Sequence, residues 1–308
     1  SYTYELSAAA ATGPAAFPLP QTVSTNEDGA RAVAVGDLDG DGDRDLVVGS
    51  DLSGAVTRYM NQGDGTFGSG TTVNASTLKN PTDVVLADID GQNGLDIVVS
   101  LGNGSDSGSD EVLWYPNNND GTFGAAQNVA TSSQNLDDPR SVATDDVDGD
   151  GDVDVVVGSR ENSEIRWYEN DGSGGFTQQA VTTSPSSPVD VAVGDINNDG
   201  APDVAWTEAG SSNQVRWIAN DGSGSFSTPQ AVGGGHTNPV DVELADVDGN
   251  GNLDAVIAAK GANAVKVVLD NGVGDLSASG TALSTTVDSA SAVDVGDVTG
   301  EGDPDLLA

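Results

Sequence analysis

Hydrophobic and polar residues alternate in short runs along the chain, and the runs recur in one order. A run of small and β-branched residues such as VAVGD comes first, an acidic turn follows, and a short apolar run such as DLVVGS comes next. A third alternating run, such as EIRWYE, and a glycine-rich turn that leads to Phe or Leu complete each unit. Short alternating runs rich in β-branched residues predict strands, so each unit predicts four of them.

The acidic turn occurs six times. The first three copies are DLDGDGDRD, DIDGQNGLD and DVDGDGDVD, at 37–45, 88–96 and 146–154. The last three are DINNDGAPD, DVDGNGNLD and DVTGEGDPD, at 195–203, 246–254 and 297–305. Successive copies begin 51, 58, 49, 51 and 51 residues apart. Four strands in each repeat of about 50 residues predict the blades of an all-β β-propeller.

The two ends of the chain bear on the number of blades. The last acidic turn is followed only by Leu306, Leu307 and Ala308, whereas 2–6 and 17–23 read as strands. A blade completed by strands from both ends would leave no open sheet edge. We therefore predict a single β-propeller domain, 1–308, of six four-stranded blades closed by N- and C-terminal strands in one blade. If the chain is a piece of a longer one, we expect seven blades.

Each acidic turn presents oxygens at its positions 1, 3, 5 and 9, with a backbone carbonyl at position 7. Calcium takes about six to eight oxygen ligands in a flexible shell, whereas magnesium demands stricter geometry. Six such turns at nearly constant spacing are poorly explained as merely acidic loops. We predict up to six structural calcium ions, held by the residues at positions 1, 3, 5, 7 and 9.

The predicted ligands of the first three turns are Asp37, Asp39, Asp41, Asp43 and Asp45; Asp88, Asp90, Gln92, Gly94 and Asp96; and Asp146, Asp148, Asp150, Asp152 and Asp154. Those of the last three turns are Asp195, Asn197, Asp199, Ala201 and Asp203; Asp246, Asp248, Asn250, Asn252 and Asp254; and Asp297, Thr299, Glu301, Asp303 and Asp305. The first and third turns have carboxylates at all four side-chain positions, which predicts the tightest binding. The second, fourth and fifth each substitute an amide, and the sixth has Thr299 and Glu301 where aspartate is usual, which predicts the weakest site.

Composition and charge narrow the set of partners. The 308 residues include 49 acidic and 10 basic ones, a formal net charge of −39, which disfavours nucleic acids and anionic membranes. The turns contain 23 of the acidic residues, so metal binding accounts for about half of the acidity. The remainder is typical of a protein from a salt-adapted organism.

No apolar run reaches membrane length, and the absence of cysteine excludes disulfides and thiolate zinc sites. The lone His236, in a glycine-rich turn, is interpreted as a solvated loop residue.

The acidic turns, the hydrophobic runs around them, and the segments GDGTFGSG at 63–70 and DGTFGAA at 120–126 resemble the FG-GAP/VCBS repeat family. This family of propellers is related to the integrin α-subunit head, and the resemblance spans essentially the whole chain. It implies that the calcium is structural and lies on the face opposite the usual ligand site. Family members include adhesion receptors, lectins and some polysaccharide-cleaving or dehydrating enzymes, so the resemblance specifies fold and calcium rather than activity.

Polar residues at the other end of the predicted blades form the candidate ligand site. They are Arg31, Arg140, Arg160, Asp83, Asp190 and Asp241. An equally good interpretation is that these residues cap the innermost strands. Trp114, Trp167 and Trp217 share one repeat-equivalent position, which favours packing between blades over stacking against a sugar.

Three functions remain open at this point. A secreted or cell-surface binding or adhesion module for a glycan or a protein is favoured, since no nucleophile–base pair and no open metal site is found. A polysaccharide lyase or dehydratase is the second, because paired carboxylates can act as acid and base. The third is a structural subunit of a surface assembly. We expect no catalytic residues, no membrane insertion and a ligand at the face opposite the calcium loops.

Overall fold

The chain consists of antiparallel sheets grouped in two compact units. The computed structural model describes residues 22–73, 80–92, 94–102, 110–182, 185–210, 212–272, 274–277, 280–284, 287–297 and 304–308. One unit contains the described residues of Thr22–Thr183, and the other contains those of Ser184–Ala308.

The first unit has three four-stranded sheets, each with its strands paired in chain order. The first sheet consists of β1 (Ala30–Gly36), β2 (Asp45–Ser50), β3 (Ala55–Tyr59) and β4 (Thr71–Thr72). The second consists of β5 (Pro81–Ala87), β6 (Asp96–Leu101), β7 (Glu111–Tyr115) and β8 (Gln127–Thr131). The third consists of β9 (Pro139–Asp145), β10 (Asp154–Ser159), β11 (Glu164–Asn170) and β12 (Phe176–Thr182).

The second unit has two four-stranded sheets and a strand pair. The fourth sheet consists of β13 (Pro188–Gly194), β14 (Asp203–Glu208), β15 (Gln214–Ile218) and β16 (Gln230–Ala231). The fifth consists of β17 (Pro239–Ala245), β18 (Asp254–Ala259), β19 (Ala264–Val268) and β20 (Thr281–Ser284). The pair is β21 (Asp294–Gly296) and β22 (Asp305–Leu307). Helix in the described ranges is limited to 3₁₀ turns at Ser132–Gln134 and Lys260–Ala262, and no helix there could cross a membrane.

The five four-stranded sheets have the strand order that the repeats predict. Each of the first five acidic turns joins the first and second strands of its sheet. The predicted sixth blade is represented among the described residues by β21 and β22. Its predicted strand at 2–6 and most of the one at 17–23 lie outside the described residues.

Neighbouring sheets within a unit share hydrophobic cores. The second strands β6, β10 and β18 are buried along their whole length, as expected for β-branched runs covered on both faces. Trp114 and Tyr168 lie in the core shared by the second and third sheets, and Trp217 lies in the core shared by the fourth and fifth. The packing interpretation is therefore confirmed for Trp114 and Trp217. Trp167 is also buried, with 3% of its surface exposed.

The linkers that enter the third, fourth and fifth sheets each insert one side chain. The residue just before each of the first strands β1, β5, β9, β13 and β17 has a positive φ, and in those three sheets the inserted residue lies two positions earlier. Leu136 fills this place in the third sheet with 1% of its surface exposed, and His236 fills it in the fifth with 5%. The interpretation of His236 as a solvated loop residue is therefore wrong. Its position in the repeat is one that faces the core, and this burial lowers the pKa of its imidazole.

Candidate metal centres

The aspartate at position 1 folds each of the first five acidic turns around its own carboxylate. In the first turn Asp37 accepts the backbone N–H groups of Gly40 at 2.7 Å and Gly42 at 3.0 Å. In the third turn Asp146 accepts that of Gly151 at 3.0 Å. The φ angles of Gly42 and Gly151 are 92° and 97°, a conformation that favours glycine. The turn's shape thus follows from an aspartate and a glycine five residues apart.

The aspartate at position 9 is buried and joins the turn to the third strand. Asp154, with 0% of its surface exposed, accepts the N–H of Val147 at 3.0 Å and that of Asn170 at 2.8 Å. The equivalent pair of bonds is made by Asp45, Asp96, Asp203 and Asp254. Position 9 is therefore part of the scaffold in all five sheets.

The position-5 side chains hold the backbone of position 7. Asp41 accepts the N–H of Asp43 at 2.9 Å, Asp150 accepts that of Asp152 at 2.9 Å, and Asn250 accepts that of Asn252 at 2.8 Å. Each bond uses one side-chain oxygen. In the two aspartates, the second carboxylate oxygen is available to a ligand.

Carboxylates converge in four of the turns. In each group, three carboxylate oxygens lie within 4.8 Å of one another, close enough to hold one metal ion. The groups are Asp37, Asp39 and Asp41; Asp88, Asp90 and Asp96; Asp146, Asp148 and Asp154; and Asp246, Asp248 and Asp254. In the fourth turn, with Asp195, Asp199 and Asp203, position 3 is Asn197, and position 7 is the apolar Ala201. In the second turn Gln92 and Gly94 are described, whereas Thr299, Glu301 and Asp303 of the sixth turn lie outside the described residues.

An unpaired buried oxygen in the third turn fits a cation. Asp148 Oδ1 is buried and has no hydrogen-bond partner among the described residues. A buried carboxylate oxygen without a partner costs free energy. A cation between Asp146, Asp148 and Asp154 would give this oxygen the partner it lacks, so the residues present fit a metal ion.

The electrostatics of the turns also favour a cation. Burial raises the pKa of Asp154 to about 7 and the pKa values of Asp96 and Asp203 to about 6, and neighbouring aspartates add to the rise. Burial likewise raises the pKa values of Asp39 and Asp148. Backbone N–H bonds to the carboxylates oppose the effect only in part. A bound cation would favour the ionised forms, because opposite charges stabilise each other.

The predicted ligand residues lie at the end of the sheets away from the turns. Each of the three aspartates connects the first strand of its sheet to the segment that begins the next sheet, since its carboxylate accepts a backbone N–H there. The bonds run from Val142 to Asp83, from Val242 to Asp190 and from Val293 to Asp241, at 2.9, 2.8 and 2.5 Å. The structure therefore gives these aspartates a strand-bridging contact.

The three predicted arginines lie in the first unit. Arg140 donates through Nε to Asp138 Oδ2 at 2.8 Å, and a guanidinium nitrogen of Arg31 lies 3.8 Å from Asp51 Oδ2. Burial and the nearby charge of Arg140 lower the pKa of Arg31. Arg160 follows β10, and its backbone N–H donates to the Asp138 carbonyl at 3.0 Å. Arg31 is thus close enough to Arg140 for the two positive charges to repel each other.

An asparagine at the end of the third strand was missed from the sequence. Asn170 Nδ2 donates to the Ile89 carbonyl in the second turn at 2.7 Å and to the Val153 carbonyl in the third turn at 2.9 Å. Asn117 makes the equivalent bonds to the first and second turns at 2.9 and 3.0 Å. The signal that could have revealed this role is the recurrence of asparagine at 61, 117, 170 and 220, just before each glycine-rich turn.

Successive four-stranded sheets, each with an acidic turn between its first two strands, define a β-propeller with candidate metal centres. The FG-GAP-like repeat matches residues 37–99, 92–157, 146–206, 195–257 and 247–308. The chain therefore belongs to the FG-GAP-like repeat family, with five copies of the repeat detected. A comparison with curated proteins found no match.

Three solved structures of similar fold illustrate the range of proteins built this way. A lectin from Agrocybe aegerita that recognises non-reducing terminal N-acetylglucosamine is 21% identical, with a TM-score of 0.59 over 82% of this chain and 66% of that one. An auxiliary nutrient binding protein from Bacteroides ovatus is 13% identical, with a TM-score of 0.54 over 83% and 57%. The virginiamycin B lyase of Staphylococcus aureus is 12% identical, with a TM-score of 0.56 over 89% and 76%. The chain spans less than two thirds of the first two, and identities this low show the fold alone.

Proposed function

We propose that the protein is a secreted or cell-surface, calcium-stabilised β-propeller that serves as a non-catalytic binding or adhesion module for a glycan or a protein. The observation that carries the proposal is the use of the turn carboxylates. Asp37 and Asp154 each accept two backbone N–H groups of the scaffold, so these groups hold the fold rather than await a substrate. This leaves the opposite end of the sheets for a ligand.

Calcium is the ion that we propose for the clusters, with up to six bound. The candidate ligands are all oxygens, which calcium prefers, and the turns supply them from a flexible loop. Bound calcium would offset the mutual repulsion of the buried carboxylates, for example at Asp96 and Asp154, whose pKa values are raised. Its contribution is structural, since position 9 links each turn to the third strand.

We also propose six blades, with β21 and β22 completed by N-terminal strands at 2–6 and 17–23. Support comes from β1, whose Val33 and Val35 are 52% and 53% exposed, an apolar flank that a further blade would cover. Deleting residues 1–21 would then lower the melting temperature by several degrees, as measured by differential scanning calorimetry. An unchanged melting temperature would contradict the six-blade closure.

A glycan is our first candidate ligand, because the same fold serves a sugar-recognising lectin from Agrocybe aegerita. A lyase is the second candidate function. Its support is the hydrogen bond between the carboxyl groups of Asp190 and Asp241, where burial raises the pKa of Asp241. Two such carboxyls could share acid and base roles. The acidity of the chain argues against nucleic acid as a partner.

Two measurements test the proposal. Thermal unfolding with excess calcium and with EGTA tests the ion: a site with calcium at about 1,000 times its Kd contributes about 4 kcal/mol to stability. A melting temperature that chelation leaves unchanged would remove structural calcium from the proposal. A glycan array, read with and without calcium, tests the ligand. Calcium-dependent retention on the array supports a binding module, whereas turnover of a polysaccharide would replace it with the enzyme.

A further inference from the structure

The first sheet departs from the third, fourth and fifth at the linker residue two positions before the positive φ. The equivalent positions hold Leu136 in the third sheet, Pro185 in the fourth and His236 in the fifth, and all three are buried. In the first sheet the residue is Glu27, which is only half-buried. A carboxylate cannot fill an apolar gap as leucine does, because its charge must keep polar partners.

Glu27 finds those partners within the first sheet. Ser50 Oγ donates to Glu27 Oε2 at 2.6 Å, and the Tyr59 hydroxyl donates to Glu27 Oε1. Ser24 also hydrogen-bonds to the Tyr59 hydroxyl, and burial together with the Glu27 bond raises the pKa of Tyr59. The result is a fixed chain of hydroxyl groups and a carboxylate, Ser24–Tyr59–Glu27–Ser50. The Tyr59 hydroxyl is therefore held within this chain of groups, and its hydrogen is donated to Glu27.

A cavity of about 470 Å³, widely open to solvent, lies against this chain of groups. It is lined by linker residues 22–26 on one side, and by Tyr59 and residues 67–70 on the other. This volume is within the range of small-molecule sites, about 300 to 1,000 Å³. The cavity lies in the first sheet, where the linker residue is Glu27. In the third sheet the equivalent linker residue is Leu136, which packs in one core with Tyr168, the repeat equivalent of Tyr59.

The lining of the cavity selects a class of ligand. The side chains of Ser24, Thr25, Asn26 and Ser69 can both donate and accept hydrogen bonds, which suits a ligand rich in hydroxyl groups. The partly exposed ring of Phe67 adds a small apolar surface. No lysine or arginine is among the described residues that line it, and Glu27 lies nearby, so an anionic ligand is disfavoured.

We propose that this cavity on the first sheet binds a neutral pyranose sugar, with the linker side chains and Ser69 as its hydrogen-bonding partners and the partly buried Tyr59–Glu27 bond holding the linker in place. The proposal rests on the glycan-binding function proposed above and places a subsite for it. Both polar edges and an apolar face of a pyranose would find counterparts there. None of the described residues that line the cavity belongs to an acidic turn.

Saturation-transfer NMR with glucose, galactose, mannose and N-acetylglucosamine tests the subsite on the full chain in calcium. We expect saturable binding of at least one of them. Thr25→Trp, at an exposed lining position, places an indole in the cavity and should weaken that binding at least tenfold. Tyr59→Phe should weaken it about tenfold by removing the bond to Glu27 that positions the linker. Tyr168→Phe, the same change at the equivalent position of the third sheet, should leave it unchanged.

The outcomes separate this subsite from the wider function. Sugar binding that survives Thr25→Trp at wild-type strength overturns the subsite and leaves glycan binding in place. No saturable binding of the four sugars also overturns the subsite, and a glycan array without signal then removes glycan binding as well. Equal losses in Tyr59→Phe and Tyr168→Phe would show a general effect on folding and would likewise overturn it. Melting temperatures of all variants establish that Thr25→Trp is folded.

Discussion

The third-strand asparagines are expected to hold neighbouring acidic turns together, and Asn170→Asp tests this directly. Asn170 has 1% of its surface exposed, and its Nδ2 donates to the carbonyls of Ile89 and Val153 at 2.7 and 2.9 Å. The substitution keeps the size of the side chain and removes both donated hydrogens. It also places a negative charge beside two carbonyl oxygens, which are acceptors themselves.

The magnitude follows from the two bonds. A buried acceptor that loses its donor costs about 1 to 3 kcal/mol, so two acceptors and the added charge give about 3 kcal/mol. An entropy of unfolding of about 2.1 cal/mol/K per residue over 308 residues converts this loss into a melting temperature lower by about 5 °C. The assay is differential scanning calorimetry in saturating calcium at pH 7.5.

Asn61→Asp is the matched control for this prediction. Asn61 occupies the same place in the first sheet, where its Nδ2 donates to the Arg44 carbonyl at 3.0 Å in a solvent-exposed bond. The same chemical change should therefore cost about 1 kcal/mol or less, which lowers the melting temperature by about 1 °C. Equal losses in the two variants would refute the reasoning, because the difference rests on burial and on the second bond.

Three further predictions concern the turns. Gly174→Ala should lower the free energy of unfolding by about 3 kcal/mol in urea, since the φ of Gly174 is 79° and an added Cβ would lie 2.2 Å from the Trp114 ring. Gly151→Ala is the control: its φ is 97°, but an added Cβ would meet no atom within 4 Å, so the loss should be about 1 kcal/mol. In metal-stripped protein the melting temperature should fall as the pH rises from about 4 to 7. The reason is that burial raises the pKa of the carboxyls of Asp96, Asp154 and Asp203 to about 6 or 7, so the folded state holds their protons more tightly than the unfolded state. Added calcium should reverse this slope, and a melting temperature that rises with pH without metal would contradict the prediction. Asp148→Asn removes a charge at position 3 of the third turn and should weaken calcium binding there about tenfold, as measured by isothermal titration calorimetry. Asn197→Asp adds a charge at position 3 of the fourth turn and should strengthen calcium binding there. Equal calcium affinities of the two variants and the wild type would contradict the proposed ligand set.

The strands and acidic turns could be predicted from sequence because their signals are local. Alternation marks β1 and a short apolar run marks β10, each within a few residues, and the glycine at position 6 of most turns reports the backbone conformation that the turn requires. Each acidic turn alone is a weak signal, but its recurrence at a nearly constant spacing predicts the repeated blades. The convergence of carboxylates in four turns follows from that local pattern.

Other features could not be read locally because they depend on position in the repeat. GGGHTNP has the composition of an exposed turn, yet His236 is buried because its place in the repeat faces a core. Glu27 is a polar residue at a position where the third sheet has the buried Leu136, and only the alignment of the two repeats reveals this equivalence. Asp83 likewise reads as a surface charge, although its carboxylate accepts a backbone N–H of the next sheet. Contacts between repeats are long-range, and composition alone does not reveal their geometry.

The asparagine bonds also bear on how metal sites would influence one another. Asn170 joins the second turn to the third, so an ion that orders one of these turns also fixes a carbonyl that the other depends on. Ordering either of these two turns then lowers the entropy cost of ordering the other. The fifth sheet has Asp270 at this place, whose carboxylate accepts the N–H groups of Gly272 and Asp275 and when ionised has no hydrogen to donate. Coupling through this side chain is therefore expected between the second and third turns and not between the fourth and fifth.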